Sequence, residues 1–195
     1  VLASRTGVPP NLHLAVLNAT HWSRSACPGP YPRPTSLWDG EMGTVFAPEA
    51  YGESFLRERR VPEIVASWDS WPPGLNALGE PARAAALADL LVVEELARLF
   101  LRELRVAPSD PVLSRLLASY LTQVVLHAMD GGLFGLARLW NAWGQALARA
   151  GDEDGQVRMQ AKALYDEHGE GLVSSFTGQW AASGEQEAAL PTAGP

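Results

Sequence analysis

Two adjacent carboxylates, Glu94 and Glu95, stand in the middle of the run LLVVEELARLF (90–100), and Arg98 follows four residues after the first and three after the second. On a helix those spacings share one face, so Arg98 can reach both carboxylates. On a solvated face such a pair is a common salt bridge worth about 0.2–0.5 kcal/mol. Inside a protein, an unpaired carboxylate is very costly, and a guanidinium making paired, charge-assisted hydrogen bonds is what makes it tolerable. The nearly continuous apolar run LADLLVVEEL (87–96) favours the internal reading. General acid–base work by Glu95 would need a pocket around it and a raised pKa, not an arginine-neutralised carboxylate.

Other reactive side chains are poorly grouped. The four histidines are His13, His21, His127 and His168, and none has another His or Cys three or four residues away. His127 and Asp130 share a face, but Asp130 precedes Gly131-Gly132 and reads as a helix-terminal polar residue. His168, just before Gly169, sits where a cation complements a helix dipole. Cys27, the lone cysteine, forms no intramolecular disulfide and builds no zinc site; a dyad with His21 has no local pattern behind it. Asp39 and Glu41 flank Gly40 in a generic loop. There is no Gly-x-Ser-x-Gly elbow, phosphate-cradling loop or dinucleotide fingerprint. The residues therefore imply no metal and no cofactor. Trp68 and Trp71, beside Pro72-Pro73, together with Tyr120 are candidates to line a groove; ordinary aromatic packing is the alternative.

Stepping outward, the chain of 195 residues suffices for a single domain, expected over 1–182, with a strand- and loop-rich part (1–80), a helical part (81–182) and a polar tail (183–195). NLHLAVLNA (11–19) alternates as a half-buried strand, with Leu12, Leu14 and Val16 on one face. GTVFAP (43–48) reads as a second strand. Between them CPGPYPRPTSLWDGE (27–41) carries four prolines and is an ordered loop or extended crossing. Residues 47–68 hold a short helix and a second one begun by Pro62, and WPPGLNALGEP (71–81) forces a loop. From Pro81 to Val106 the spacing predicts a buried central helix. Ser109 or Asp110 caps the next, over 112–129; two more follow, stopped by Gly151 and Gly169, then a short one over 171–182.

With a net charge of −7 and basic residues scattered rather than striped, the chain lacks the phosphate-neutralising patch that nucleic-acid binding needs, so nucleic acid is not expected as a partner. Lys162 is the single lysine among 15 basic residues, a bias of GC-rich bacterial-type codon usage rather than of arginine chemistry. No run of about 18 apolar residues suggests a membrane partner. The absence of paired cysteines fits a reducing compartment, with the cytoplasm slightly favoured, while a first residue of Val rather than Met leaves room for a removed signal peptide.

Two segments together resemble the zincin metallopeptidases. In that family one helix carries His-Glu-x-x-His, whose histidines bind zinc and whose Glu is the general base; in the gluzincin branch a following helix adds a Glu ligand. VVEELARLF (92–100) is similar to the first motif with both histidines replaced, and VLSRLLASYL (112–121) to the second with its Glu replaced by Arg. The resemblance puts Glu94, Arg98 and Arg115 at former metal-ligand positions and Glu95 at the vestigial general-base position. Leu113, Ala118 and Tyr120 keep the surrounding pattern. It implies an α+β, zincin-like fold, with a small N-terminal strand layer packed on a mainly helical C-terminal part. Glu94, Glu95, Arg98 and Arg115 sum to zero charge, which suggests a salt-bridge cluster in place of the metal.

Three functions follow as expectations. The first is a non-catalytic zincin-like domain that binds a peptide or protein, with a strand such as GTVFAP pairing with the ligand backbone. The second is a metal-independent or unusual-metal hydrolase using the same cleft. The third is a helical structural or interaction module, which requires an exposed Glu94–Arg98 pair and no strand layer on the central helix.

Overall fold

The structure, a computed structural model, describes residues 12–25, 29–39, 42–69, 71, 73–103, 108–130, 135–173 and 175. It is α+β and mostly helical, with one three-stranded sheet. Cys27, Glu41 and the tail over 183–195 lie outside the described residues, as does most of the short helix expected over 171–182.

The strands are β1 (Leu12–Leu17), β2 (Thr35–Trp38) and β3 (Gly43–Pro48), in the order β1-β3-β2. β1 runs parallel to β3 with Leu14 opposite Val45, and β2 runs antiparallel with Ser36 opposite Val45. GTVFAP is thus the central strand, and Val45, Phe46 and Ala47 are all buried, as side chains apolar on both faces require. This corrects the expectation that GTVFAP offers its edge to a ligand, because both of its edges are already hydrogen-bonded. Among the described residues, β1 and β2 are the outer strands of the sheet.

β1 forms where the alternation predicts it, but the face is wrong. Leu14 and Val16 are 57% and 60% exposed, while Leu12, Ala15 and Leu17 are half-buried. Edge position explains the weak selection of one face, since among the described residues only β3 pairs with this strand. β2 lies in the proline-rich crossing and begins immediately after Pro34, so no proline interrupts its ladder. The crossing before it is pinned: Trp22 Nε1 donates to the Gly29 carbonyl at 2.9 Å, and Tyr31 Oη to that of Ala50 at 2.8 Å.

Eight helices are described: α1 (Ala19–Arg24), α2 (Glu53–Glu58), α3 (Val61–Ser67), α4 (Pro73–Asn76), α5 (Glu80–Glu103), α6 (Pro111–Asp130), α7 (Leu136–Arg149) and α8 (Glu153–His168). α4 corrects the reading of 71–81 as a loop, while α1 falls almost wholly on a stretch to which the sequence assigned no element. α1 is capped by the Asn18 side chain, which accepts from His21 N at 2.9 Å. Asp110, not Ser109, starts α6, its carboxylate accepting from Val112 N at 2.8 Å, and Asp152 does the same for α8 through Asp154 N and Gly155 N. Gly169, with φ of 55°, ends α8 in a conformation open to glycine.

α5 is the central element. It packs against β2 and β3 on one side and against α3, α6 and α7 on the other, while α8 lies on α6 and α7. Two apolar clusters divide its length. Leu87, Leu90 and Leu91 belong to one, with Trp71, Leu139, Trp140 and Trp143; Ala97, Phe100 and Leu101 belong to the other, with Ala118, Tyr120 and Leu121. Glu94 and Glu95 fall at the junction. α6 also corrects the hydropathy reading: Pro111–Met129 is long and apolar enough to cross a membrane, with a mean hydropathy of 1.2, and half of that stretch is buried inside the fold. Buried Ser119, Thr122 and Gln123 give it a polar stripe facing the interior.

Candidate functional site

α5 has apolar residues on most of its circumference, so its two carboxylates are drawn inside with it. Glu94 and Glu95 are each only 7% exposed. Every hydrogen-bonding demand of Glu94 is met by a different element. Its Oε1 accepts from Arg98 Nη2 and from Ser119 Oγ of α6, both at 3.2 Å, and its Oε2 accepts from Arg158 Nη2 of α8 at 3.3 Å. Glu95 Oε1 accepts from Arg98 Nη1, and its Oε2 from Ser36 Oγ of β2 at 2.9 Å. One guanidinium therefore bridges both carboxylates in the paired geometry that suits Arg.

Arg158 is 2% exposed and lies in an aromatic box. Its guanidinium carbon is 3.7 Å from the centroid of Trp140 and 4.4 Å from that of Trp143. These ring faces compensate part of the desolvation, while Arg158 Nε and Nη1 have no hydrogen-bond partner.

The two carboxylates respond differently to these surroundings. Burial is the largest influence on Glu94 and raises it, but Arg158, Arg98 and Ser119 together outweigh burial and hold it below its ordinary value. At Glu95 burial dominates, and with the repulsion of Glu94 it raises the carboxyl against the pull of Arg98, Ser36 and Arg33.

A second ionic centre adjoins the first. Asp154, in the first turn of α8, accepts from Arg59 Nη1 at 2.7 Å and from Arg115 Nη1 at 3.5 Å, and Arg33 Nη2 lies 3.9 Å away. Burial raises Asp154, but Arg59, Arg158 and Arg33 outweigh it and hold its carboxyl low. Around this centre opens a cavity of about 580 Å³ whose lining includes Arg33, Arg59, Arg98, Arg102 and Arg115. A smaller cavity of about 260 Å³, between β2 with its preceding loop and α5, is lined by Ser36, Glu95, Arg33, Arg98 and Arg102.

The sequence-predicted site residues are only partly brought together. Glu94, Glu95 and Arg98 converge. Arg115 does not reach the glutamates and instead faces Asp154 and Glu153, both at 3.5 Å. The second guanidinium on Glu94 is Arg158, which corrects the four-residue cluster. Sequence reasoning missed it because 64 residues separate the partners. A weak signal existed: Arg158 precedes Ala161 by three positions, on the stripe that α8 buries. Ser36 and Ser119 were missed for the same reason of sequence distance.

The aromatic groove is not formed either. Trp68 and Trp71 pack with the first cluster, whereas Tyr120 is fully buried in the second and donates to the Gly169 carbonyl at 2.6 Å. His127 stacks on Tyr165 with ring centroids 4.1 Å apart, and its Nδ1 lies 2.9 Å from the Gln123 carbonyl. Asp39 Oδ1 accepts from Met42 N at 2.8 Å, a turn-closing role.

The donor set does not suit a zinc ion. At the positions of the resemblance stand a carboxylate already engaged by three donors, two of them cationic, and two guanidiniums, which cannot coordinate a cation. Among the described residues, no three His, Cys, Asp or Glu side chains are grouped to hold a metal. Compared with family models, curated proteins and solved structures, the chain matches none.

Proposed function

We propose that this chain is a zincin-like domain without zinc chemistry, in which Glu94, Arg98 and Arg158 fill the metal position with ion pairs, and that it binds an extended peptide or protein segment beside β2. The observation that carries the reading is the engagement of Glu94: each carboxylate oxygen already accepts from a guanidinium, and Ser119 adds a third bond. With guanidiniums paired to Glu94 where the resemblance places a metal, the residues there offer no ligand set for a Lewis acid that would activate water. The strand layer on α5 and the burial of Glu94 and Glu95 support this reading over a helical module, which requires an exposed pair.

β2 supports the binding half of the proposal. It is an edge strand, and Ser36 ties it to Glu95, so a ligand strand added along β2 would run past the smaller cavity. Two measurements test the two halves. Elemental analysis of chain purified with zinc present, together with a fluorogenic peptide library, is expected to give substoichiometric zinc and no cleavage. One zinc per chain with chelator-sensitive cleavage overturns the reading. Peptides selected by display on the whole chain are expected to protect the amides of Thr35–Trp38 from hydrogen exchange; protection at β1 instead would reject β2 as the docking edge.

One observation favours a second reading. Glu95 is raised by burial and borders a cavity, as a general acid or base would be. Metal-independent hydrolysis abolished by Glu95→Gln, in chain that remains folded, would establish it.

A further inference from the structure

Arginines crowd one corner of a chain whose net charge is −7. In the smaller cavity, Arg33, Arg98 and Arg102 face a single carboxylate, Glu95, and Arg98 is already committed to Glu94 and Glu95. Arg33 has only a distant partner, 3.9 Å away at Asp154, a carboxylate that Arg59 and Arg115 also share. Arg102 is exposed, and among the described residues its side chain makes no ion pair or hydrogen bond. Each guanidinium carries five N–H donors in a planar fork, so the two arginines together bring donors that the protein leaves unused. Bringing like charges to one concave surface costs repulsion, and an anion removes that cost.

We propose that this corner is an oxyanion site, in which Arg33 and Arg102 hold a carboxylate or phosphate group of a ligand, and Arg98 forms its floor above Glu95. The anion sits on the β2 side of the corner, in the cavity of about 260 Å³ whose one carboxylate is Glu95, since the adjoining cavity of about 580 Å³, which Arg33, Arg98 and Arg102 also line, already holds Glu58, Asp152, Glu153 and Asp154. Pro30 and Pro34 stiffen the wall that carries Arg33. The inference stands apart from the peptide reading, since it rests on unused guanidinium donors and not on the edge of β2.

The test is a titration of the isotopically labelled full chain with succinate and, separately, with inorganic phosphate, following arginine Nε–Hε signals by NMR against sodium chloride of matched ionic strength. Saturable shifts at Arg33 and Arg102 are expected with at least one anion, and whichever binds more tightly identifies the carboxylate or the phosphate source. In the Arg33→Ala/Arg102→Ala chain the affinity is expected to fall about tenfold or more, while Arg57→Ala, on α2 with its own partner Glu53, is expected to leave it unchanged. Both cavity arginines are solvent-accessible, so the double variant keeps the core, which circular dichroism checks; Arg33→Gln/Arg102→Gln gives a second, bulk-preserving version. Shifts that never saturate, or saturate equally in both double variants, overturn the proposal. Binding of the anions that competes with a display-selected peptide would join the two sites; binding without competition would keep them separate.

Discussion

Replacing Glu94 with Gln leaves the guanidinium of Arg158, 2% exposed between Trp140 and Trp143, without the carboxylate that pairs with it directly, and only the charge of Asp154 acts on it from further off. Breaking a buried pair from one side costs about 3–5 kcal/mol, because the surviving charge cannot return to water. Glu95→Gln differs, since Arg98 keeps Glu94 as a partner, Ser36 keeps an oxygen to bond, and the carboxyl that burial disfavours as an anion becomes a neutral amide. We expect Glu95→Gln to cost less than about 1.5 kcal/mol, so urea unfolding at pH 7 should separate the two variants clearly. The pH dependence follows from the same surroundings. Glu94 and Asp154 are held below their ordinary values of 4.5 and 3.8, so they stabilise the fold fully above those values and lose that contribution as pH falls through their lower folded values. Glu95 is raised above 4.5 and acts oppositely: its contribution is complete below 4.5 and is lost as pH rises through its folded value. Stability measured from pH 7 downward should therefore rise slightly before the acid collapse, and Glu95→Gln should reduce the rise to the share of Asp89, which burial also raises, while sparing the collapse. At this scale the sequence displayed what is local. Glu94 and Arg98, four apart on one helix, announce their pairing; Ser119, Ser36 and Arg158 join from 25, 59 and 64 residues away, and only the buried stripe of α8 gives a faint local sign, for Arg158.

Helices were legible where periodicity and caps agreed, as for α5, α6 and α8. α1 and α4 are too short to repeat an apolar spacing, at 6 and 4 residues, and so carried no periodic signal. β2 hid behind four prolines because proline excludes a strand only where it sits, and TSLW has none. The face of β1 was misread because alternation identifies a covered face only where another element covers it. The packing of α7 on α8 was invisible in sequence, although two glycines, Gly144 against Arg158 and Gly155 against the end of α7, make it possible. A Cβ on Gly155 would lie 2.2 Å from Ala148 N and 2.6 Å from Leu147 C, both backbone atoms that cannot swing aside. Gly155→Ala must push α8 away from the end of α7 and with it disturb Arg158, one turn further along. Overpacking of this kind costs about 1–3 kcal/mol or more. Gly74→Ala, with nothing within 4 Å, is expected to stay within about 0.5 kcal/mol of the parent. Thermal unfolding of the two variants side by side checks the contrast, and a Gly155→Ala chain as stable as the parent would mean that the two helices are not in close contact.

The ionic layer crosses the molecule at the junction of its two apolar clusters, with Glu94 midway along α5, Ser119 on α6 and Arg158 on α8. Such a layer either contributes to stability or is retained for what it specifies, and the two possibilities differ in sign when both partners are removed. Each single variant, Glu94→Leu or Arg158→Met, strands a buried charge and should destabilise by about 3–5 kcal/mol. The double variant Glu94→Leu/Arg158→Met strands none on this axis, because Arg98 retains Glu95. Leu beside the clusters and Met against Trp140 and Trp143 replace desolvated ions with apolar contact. We expect the double variant to recover most of the loss, so that the cycle returns a coupling energy of about 3 kcal/mol or more. Recovery to or beyond the parent would mean that the ion pair costs stability and persists as the remnant or instrument of a site. A double variant as unstable as the sum of the singles would mean that Glu94 and Arg158 act independently, and the picture of a filled metal position would lose its central contact. Guanidinium chloride melts of the four chains, supplemented by urea melts to avoid screening of the ion pair, decide between these outcomes.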